Sequence, residues 1–394
     1  MIEATIRQYR VLSVLKHCGM SMHSAVYTTF LLSKGLNLFE VNLVNVAFFL
    51  TLFVCEVPTG AFADVFGRKK SFLVSCVLFA IGMFVYGISE VFWQFIIAEM
   101  LVAVAATFMS GAFDAWLVDK LRHHGYEGQL NSIFAKNAQW VTFLGLLSAF
   151  GGAFLYEYNP ALPWFVGGLF FVVAGSMAAA VMQEEYFVHK KVSWAEGAQA
   201  LRDVFVSSVQ YGVRNKNIRF VMLLVLGLSF CVMAPNMQWQ PFFKEWLPQQ
   251  TSMGFIWTGM ALSMMLGAWA APKLLRHISE RNSLLLCQVV AGVGIVGTVS
   301  TGLLAPSVVI FFAHEIGRGA FGPIKTAYLH DNIPSKERAT VVSFESIAHH
   351  LGGAAGLVVS GALAEYVSIP IAWMVSGGML LMVAAILSKN KNQN

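Results

Sequence analysis

Apolar stretches of roughly 18 to 25 residues recur from one end of the chain to the other, and this repetition limits the fold more than any motif does. At a rise of about 1.5 Å per residue, each stretch is long enough to cross a hydrocarbon layer about 30 Å thick. No water satisfies backbone N–H and C=O groups there, so a crossing segment must be a helix or part of a closed barrel. Barrel strands alternate apolar and polar residues, and these stretches do not. The pattern therefore predicts an all-α polytopic membrane protein with twelve transmembrane helices. They are read at about 11–33, 40–63, 71–88, 91–118, 129–155, 161–182, 218–237, 251–272, 284–303, 306–330, 338–365 and 368–387. Composition agrees: 57% of the 394 residues are hydrophobic and 12% charged, against about a quarter charged in soluble domains.

Short cytoplasmic loops collect lysine and arginine. With an even number of spans and both termini cytoplasmic, most of the 26 basic residues fall on that side, among them Arg7, Arg10, Arg68, Lys69, Lys70, Lys120, Arg122, Lys190, Lys191, Lys273, Arg276 and Arg338. Only Lys34 and Lys244 fall outside. A multi-pass protein of the plasma (inner) membrane is expected. The net charge of +5 is then a topology signal, and no nucleic-acid partner is expected. The first span contains Lys16 and His17 and lacks a small-residue cleavage site, so it reads as a retained span. Cys18, Cys55, Cys76, Cys231 and Cys287 all lie in spans without metal spacing or a disulfide framework. No Gly-rich phosphate loop, metal cluster or Gly-x-Ser-x-Gly nucleophile motif is present, so neither an enzyme nor a cofactor is expected. The expected partners are a small-molecule substrate, protons and membrane lipids, with the chain acting as a monomer.

One long polar segment divides the spans six and six, predicting bundles at 1–182 and 218–394 joined by a cytoplasmic linker at 183–217. Trp194 to Val213 can form an amphipathic helix with Trp194, Ala198, Leu201 and Phe205 on one side. The halves are weak repeats at an offset of 212, with Trp116-Leu117-Val118-Asp119 facing Tyr328-Leu329-His330-Asp331. Repeats of this kind are one way transporters build alternating access.

After the second span comes Gly60-Ala61-Phe62-Ala63-Asp64-Val65-Phe66-Gly67-Arg68-Lys69-Lys70. A glycine, an aspartate four residues on, a glycine three further and a basic cluster make this segment resemble the cytoplasmic-loop signature of the major facilitator superfamily. The resemblance covers the whole chain and implies a fold of two pseudo-symmetric six-helix halves. It also implies a conformational latch in which Asp64 and Arg68, framed by Gly60 and Gly67, meet Asp119 at the end of the fourth span. In physical terms, Gly60 would permit close helix approach, and Arg68 offers a planar fork to a carboxylate. Within the superfamily the chain is similar to the drug/proton antiporter-like branch, with two departures. Glu99 stands near an expected arginine, and Leu147-Ser148-Ala149-Phe150-Gly151-Gly152 keeps only the second of two glycine signatures.

Ionisable residues inside spans cost at least about 2.5–3.5 kcal/mol each and are functional candidates by default. Here they are Lys16, Glu56, Glu99, Asp114, Lys136, Glu315, Arg318, Lys325 and Glu345. Depth along the helices suggests three intramembrane ion pairs, Asp114–Lys136, Lys325–Glu345 and Lys16–Glu56. Glu99 and Glu315 lie near the midplane, as do His23, His349 and His350. A carboxyl in a dry cavity favours its neutral form and can exchange protons, as histidine does. Glu99, Glu315, His349 and His350 are therefore the candidates for proton coupling. Glu99 has no apparent fixed partner, whereas Glu315 can pair with Arg318 at i,i+3. By resemblance, spans one, four, seven and ten line the central cavity. Lys16, Met20, His23 and Tyr27 form one polar stripe, and Glu315, Arg318, Gly322 and Lys325 another. His23, Tyr27, Asn236, Gln240 and Arg318 are the candidate substrate-binding residues. The expected function is a secondary active transporter working by alternating access, exporting amphipathic organic compounds in exchange for protons. The alternative is a uniporter, symporter or exporter of a specific anionic metabolite, suggested by Arg318, Lys325 and Lys16.

Overall fold

The apolar stretches form helices. The computed structural model describes residues 1–185, 215–333 and 338–389, and among them there is no strand. The amphipathic segment Trp194–Val213 and Lys190 and Lys191 lie outside the described residues, as does the side chain of Arg338. The helices are α1 (Ile2–Ser21), α2 (Tyr27–Ser33), α3 (Leu38–Phe66), α4 (Arg68–Ile88), α5 (Phe92–Met109), α6 (Ala112–His123), α7 (Leu130–Tyr158) and α8 (Leu162–Val181). After the linker come α9 (Lys216–Cys231), α10 (Met233–Lys244), α11 (Gln250–Leu274), α12 (Glu280–Ser300), α13 (Leu304–Asn332), α14 (Arg338–Tyr366) and α15 (Ile369–Lys389).

Three rods are broken: α1/α2 at residues 22–26, α5/α6 at Ser110–Gly111, and α9/α10 at Val232. Pro235 accounts for part of the last break, because it has no N–H to offer the Cys231 carbonyl. Among the described residues, ten rods are long and apolar enough to cross a membrane. The two other expected spans, α1/α2 and α13, are long enough, but their polarity keeps them out of that set. The 29 residues of α13 include His314, Glu315, Arg318 and Lys325. Side chains of that kind are kept away from lipid tails by protein or water around them.

Two compact units emerge, and they do not coincide with the sequence halves. One takes in Met1–Gly35, the described part of 50–199, and Gln249–Trp257; the other takes in Leu36–Phe49 and the described parts of 200–248 and 258–394. The first part of α3 thus packs with the second unit, where Asn42 lies against Gly361 of α14. The first turns of α11 pack with the first unit, where Phe150 of α7 lies against Gly254.

The first unit is built around α4, which packs on α5 and α8, with α1 against α7 and α8. Its core is aromatic: Phe79 stacks on Phe171 at 4.3 Å, and Phe72 on Phe113 at 4.6 Å. In the second unit α12 packs on α13 and α15, and α9 on α14. Buried Ile218, Leu224, Leu284 and Ile324 contribute to its core. Small residues allow backbones to touch there. A methyl group at Gly267 would lie 2.0 Å from the Ile316 carbonyl oxygen, and one at Gly319 would lie 2.1 Å from that of Met264. The α11–α13 crossing therefore requires glycine from both sides.

Gly60 behaves otherwise. A side chain there would meet no atom within 4 Å, so the close approach expected of Gly60 is not made in this structure. We expect Gly319→Ala to lower stability by about 1–3 kcal/mol through overpacking. Gly60→Ala, in open space, should leave stability unchanged or raise it by up to about 1 kcal/mol. Thermal unfolding of the two variants in detergent checks both.

Candidate functional site

In the first unit, Glu99 sits near the middle of α5, only 6% exposed. The α4–α5 hairpin brings Tyr86 to it, and the Tyr86 hydroxyl donates to Oε2 of Glu99. Tyr27, the first residue of α2, places its hydroxyl 3.2 Å from that of Tyr86. Trp164, near the start of α8, closes the cluster. Its indole stacks on Tyr86 at 4.1 Å and on the His23 ring at 4.3 Å. Nδ1 of His23 and Nε1 of Trp164 are both buried without a hydrogen-bond partner. No Lys, Arg or His within 4.0 Å forms an ion pair with Glu99 among the described residues. Thus Glu99, which shows no partner in the sequence, does have one: a neutral donor from the neighbouring helix. Tyr86 and Trp164 are the residues that sequence reasoning missed, since they read as ordinary aromatics of apolar spans.

The second unit holds its acid differently. Glu315 of α13 is fully buried, and Oε1 accepts from Arg318 Nη1 at 2.8 Å, as the i,i+3 spacing allows. The same nitrogen donates to Oδ1 of Asn236 on α10 at 2.9 Å. His314, also unforeseen, is fully buried beside them, with Nε2 3.5 Å from Glu315 Oε1. Its Nδ1 bonds the Phe311 carbonyl, so in the neutral ring Nε2 carries a lone pair. That nitrogen and Oε2 of Glu315 both lack partners. Gln240 is buried, while Gln238 ties α10 into the core, donating to the Ser360 carbonyl and accepting from Trp373 Nε1. Neither His349 nor His350 shows a hydrogen bond or ion pair with either acid among the described residues. His349 shares a hydrogen bond with Ser229 at 2.7 Å, and His350 faces Ser346 at 3.4 Å.

Of the three intramembrane ion pairs expected, the structure forms one, Lys325–Glu345. Asp114 instead accepts from the Tyr9 hydroxyl at 2.7 Å, and Lys136 is exposed. Lys16 places its ammonium over the Phe113 ring at 4.5 Å, and Glu56 is exposed. Depth estimates from the sequence matched these charges in height. They could not show which way each helix turns its side chains, and rotation about the axis separates the pairs.

At the far end of the first unit, Arg68 Nε donates to Asp119 Oδ2 at 2.8 Å, the pairing expected of the latch. Gly67 makes it possible. Its φ of 100° lies where side chains are strained, and it turns the chain from α3 directly into α4 so that Arg68 opens the new helix. Asp64 is exposed and forms no hydrogen bond or ion pair with Arg68 in this structure. A residue not foreseen takes a place there. Glu184 accepts from the Arg68 backbone N–H at 2.7 Å, adding a carboxylate at the positive end of α4. Lys69 donates to the Ala179 carbonyl and Trp116 to that of Gln183, binding the chain that leaves α8 to the same surface.

The profile of the family described as Major Facilitator Superfamily matches residues 11–313 and 220–391. An uncharacterized MFS-type transporter, YxaM of Bacillus subtilis, is 22% identical over 90% of this chain and 87% of its own. Multidrug resistance protein 2 of Bacillus subtilis is 19% identical over 88% of this chain and 85% of its own. The crystal structure of the nucleoside transporter NupG superposes with a TM-score of 0.82 at 14% identity, covering 99% of this chain and all of that one, which shows a shared fold.

The Lys325–Glu345 pair provides a direct test of how charges are held. Its side chains are 18% and 21% exposed. Lys325→Met or Glu345→Leu alone should cost about 1.5–3 kcal/mol by leaving one partly buried charge unpaired. The double variant should recover most of that loss. Thermal stability of the two single variants and the double measures the coupling.

Proposed function

The chain belongs to the Major Facilitator Superfamily and is a membrane transporter, not an enzyme, and from that premise we propose that it exports amphipathic organic compounds in exchange for protons, with Glu99 as the coupling acid. The observation that carries this reading is the setting of Glu99: a buried carboxyl held by phenolic hydroxyls and by no cation. Such a group can gain or lose a proton without leaving a counter-charge stranded in a dry interior. Glu315 cannot do so as easily, because Arg318 is always protonated and would lose its partner.

The walls around Glu99 support an apolar, ring-bearing substrate. His23 and Tyr27 present aromatic surface, and Trp164 lies behind them, the lining that suits organic ligands. The multidrug relative supports efflux as the direction. The anionic-metabolite reading loses ground on one point: Arg318 and Lys325, two of the three cations it would use, are already engaged by Glu315, Asn236 and Glu345. Alternating access would then work through the sequence halves 1–182 and 218–394, with Arg68–Asp119 as the latch. Both termini would be cytoplasmic in the plasma membrane.

The test is proton movement in proteoliposomes loaded with a pH-reporting dye and offered lipophilic cations, weak acids and small metabolites. An amphipathic compound should drive proton flux, and Glu99→Gln should reduce that flux by about a hundredfold or more. Flux indifferent to Glu99→Gln overturns the reading. Movement of a carboxylate alone, lost in Arg318→Ala, makes the protein a metabolite transporter.

A further inference from the structure

Aromatic rings close most of the surface of Glu99. Trp164 and Tyr86 are each 1% exposed, and Phe30 and Phe95, whose rings pack on that pair, are fully buried. A proton that reaches the carboxylate must be handed over by a polar group at its edge. A hydroxyl suits that task, because it donates and accepts at one atom.

The polar groups around the acid come from four elements. Tyr86 of α4 donates to Glu99 directly. Tyr27 of α2 stands 3.2 Å from the Tyr86 hydroxyl and within hydrogen-bonding reach of the carboxylate itself. His23, in the α1/α2 break, stacks on Trp164 of α8, and its Nδ1 bonds nothing. Among the described residues no Lys, Arg or Asp pairs with this acid. Tyr27 and His23 are the partly exposed members, and of these two Tyr27 is linked by hydroxyl contacts to Glu99. The contacts form a short chain from a partly exposed phenol to a buried carboxylate.

We propose that Tyr27 is the proton gate of Glu99, passing protons between water and the carboxylate through the hydroxyl of Tyr86; this rests on Glu99 being the coupling acid. In the inward step a proton from water bonds to the Tyr27 oxygen as the original Tyr27 proton passes to the Tyr86 oxygen. The original Tyr86 proton then passes to Oε2 of Glu99. Each phenol forms one O–H bond and breaks one, so the net change is one proton moved from water to the carboxylate. Rotation of the two hydroxyls resets the chain, and release runs the same steps backwards. Neither tyrosine changes its charge over the cycle. Tyr27 acts through Glu99 and is a positioning and relay residue.

Tyr27→Phe removes the oxygen and leaves the ring against Trp164 and Tyr86, at centroid distances of 6.0 and 6.2 Å. Proton flux in proteoliposomes should fall by about a hundredfold. The number of protons the solubilised protein binds at saturation should stay that of the wild type, since the acid itself is intact. Tyr27→Ala supplies the discriminating comparison. It opens room for water, which can relay protons, so it should run faster than Tyr27→Phe, whereas a packing role for Tyr27 predicts the reverse order. Wild-type flux in Tyr27→Phe, in a protein whose flux is abolished by Glu99→Gln, overturns the gate and leaves the coupling acid standing. Flux that survives Glu99→Gln removes both.

Discussion

A charge moved from water into hydrocarbon costs several kcal/mol unless something in the protein replaces the lost solvation, and this constraint explains how the two buried acids are housed. The two units meet it in different ways. Around Glu315 the replacement is a guanidinium, reinforced by Asn236, so the carboxyl is tied to a fixed cation. Around Glu99 the replacement is a phenol from the next helix, a donor that serves an ionised carboxylate and can turn to accept from a neutral one. An acid clamped by a cation is suited to fixing structure or orienting a ligand. An acid cradled by hydroxyls is suited to changing its state.

The same constraint orders the helices. The rods that fall short of the hydropathy of a lipid-facing span are α1/α2 and α13, and these carry the polar stripes. Their surroundings supply what lipid cannot: the Phe113 ring for Lys16, Glu345 for Lys325. Close crossings such as Gly267 and Gly319 bring α11 and α13 together so that the polar side chains are enclosed by protein.

How much of this was legible in the sequence depended on whether an interaction runs along a helix, follows a loop motif, or crosses between helices. The helices themselves followed from length and hydropathy, since lipid leaves the backbone few choices. Glu315–Arg318 is written in an i,i+3 spacing, and Arg68–Asp119 in a loop signature that fixes where both residues lie. Lys325–Glu345 was found from depth, but the same reasoning produced Lys16–Glu56 and Asp114–Lys136, which the structure does not form. Height along a helix is readable from the chain; azimuth around it is set by packing that involves every neighbour. The partners of Glu99 were hidden for another reason. Tyr86 and Trp164 count as aromatic mass in an apolar span, and only proximity turns one into a donor and the other into a lid. Glu184 was equally silent, since its role at the start of α4 comes from the path of the chain after α8.

The break between α5 and α6 separates two residues that would otherwise share one rigid rod. Glu99 lies on one side of Ser110–Gly111 and Asp119 on the other, and Gly111 takes a φ of 70° between them. An unbroken helix would make any tilt at the Arg68 end a tilt at the acid as well, dragging Glu99 out from under Tyr86. A jointed rod isolates the two. Because the joint lets the two segments point in different directions, the end that grips Arg68 and the end bearing Glu99 are each held by their own set of contacts.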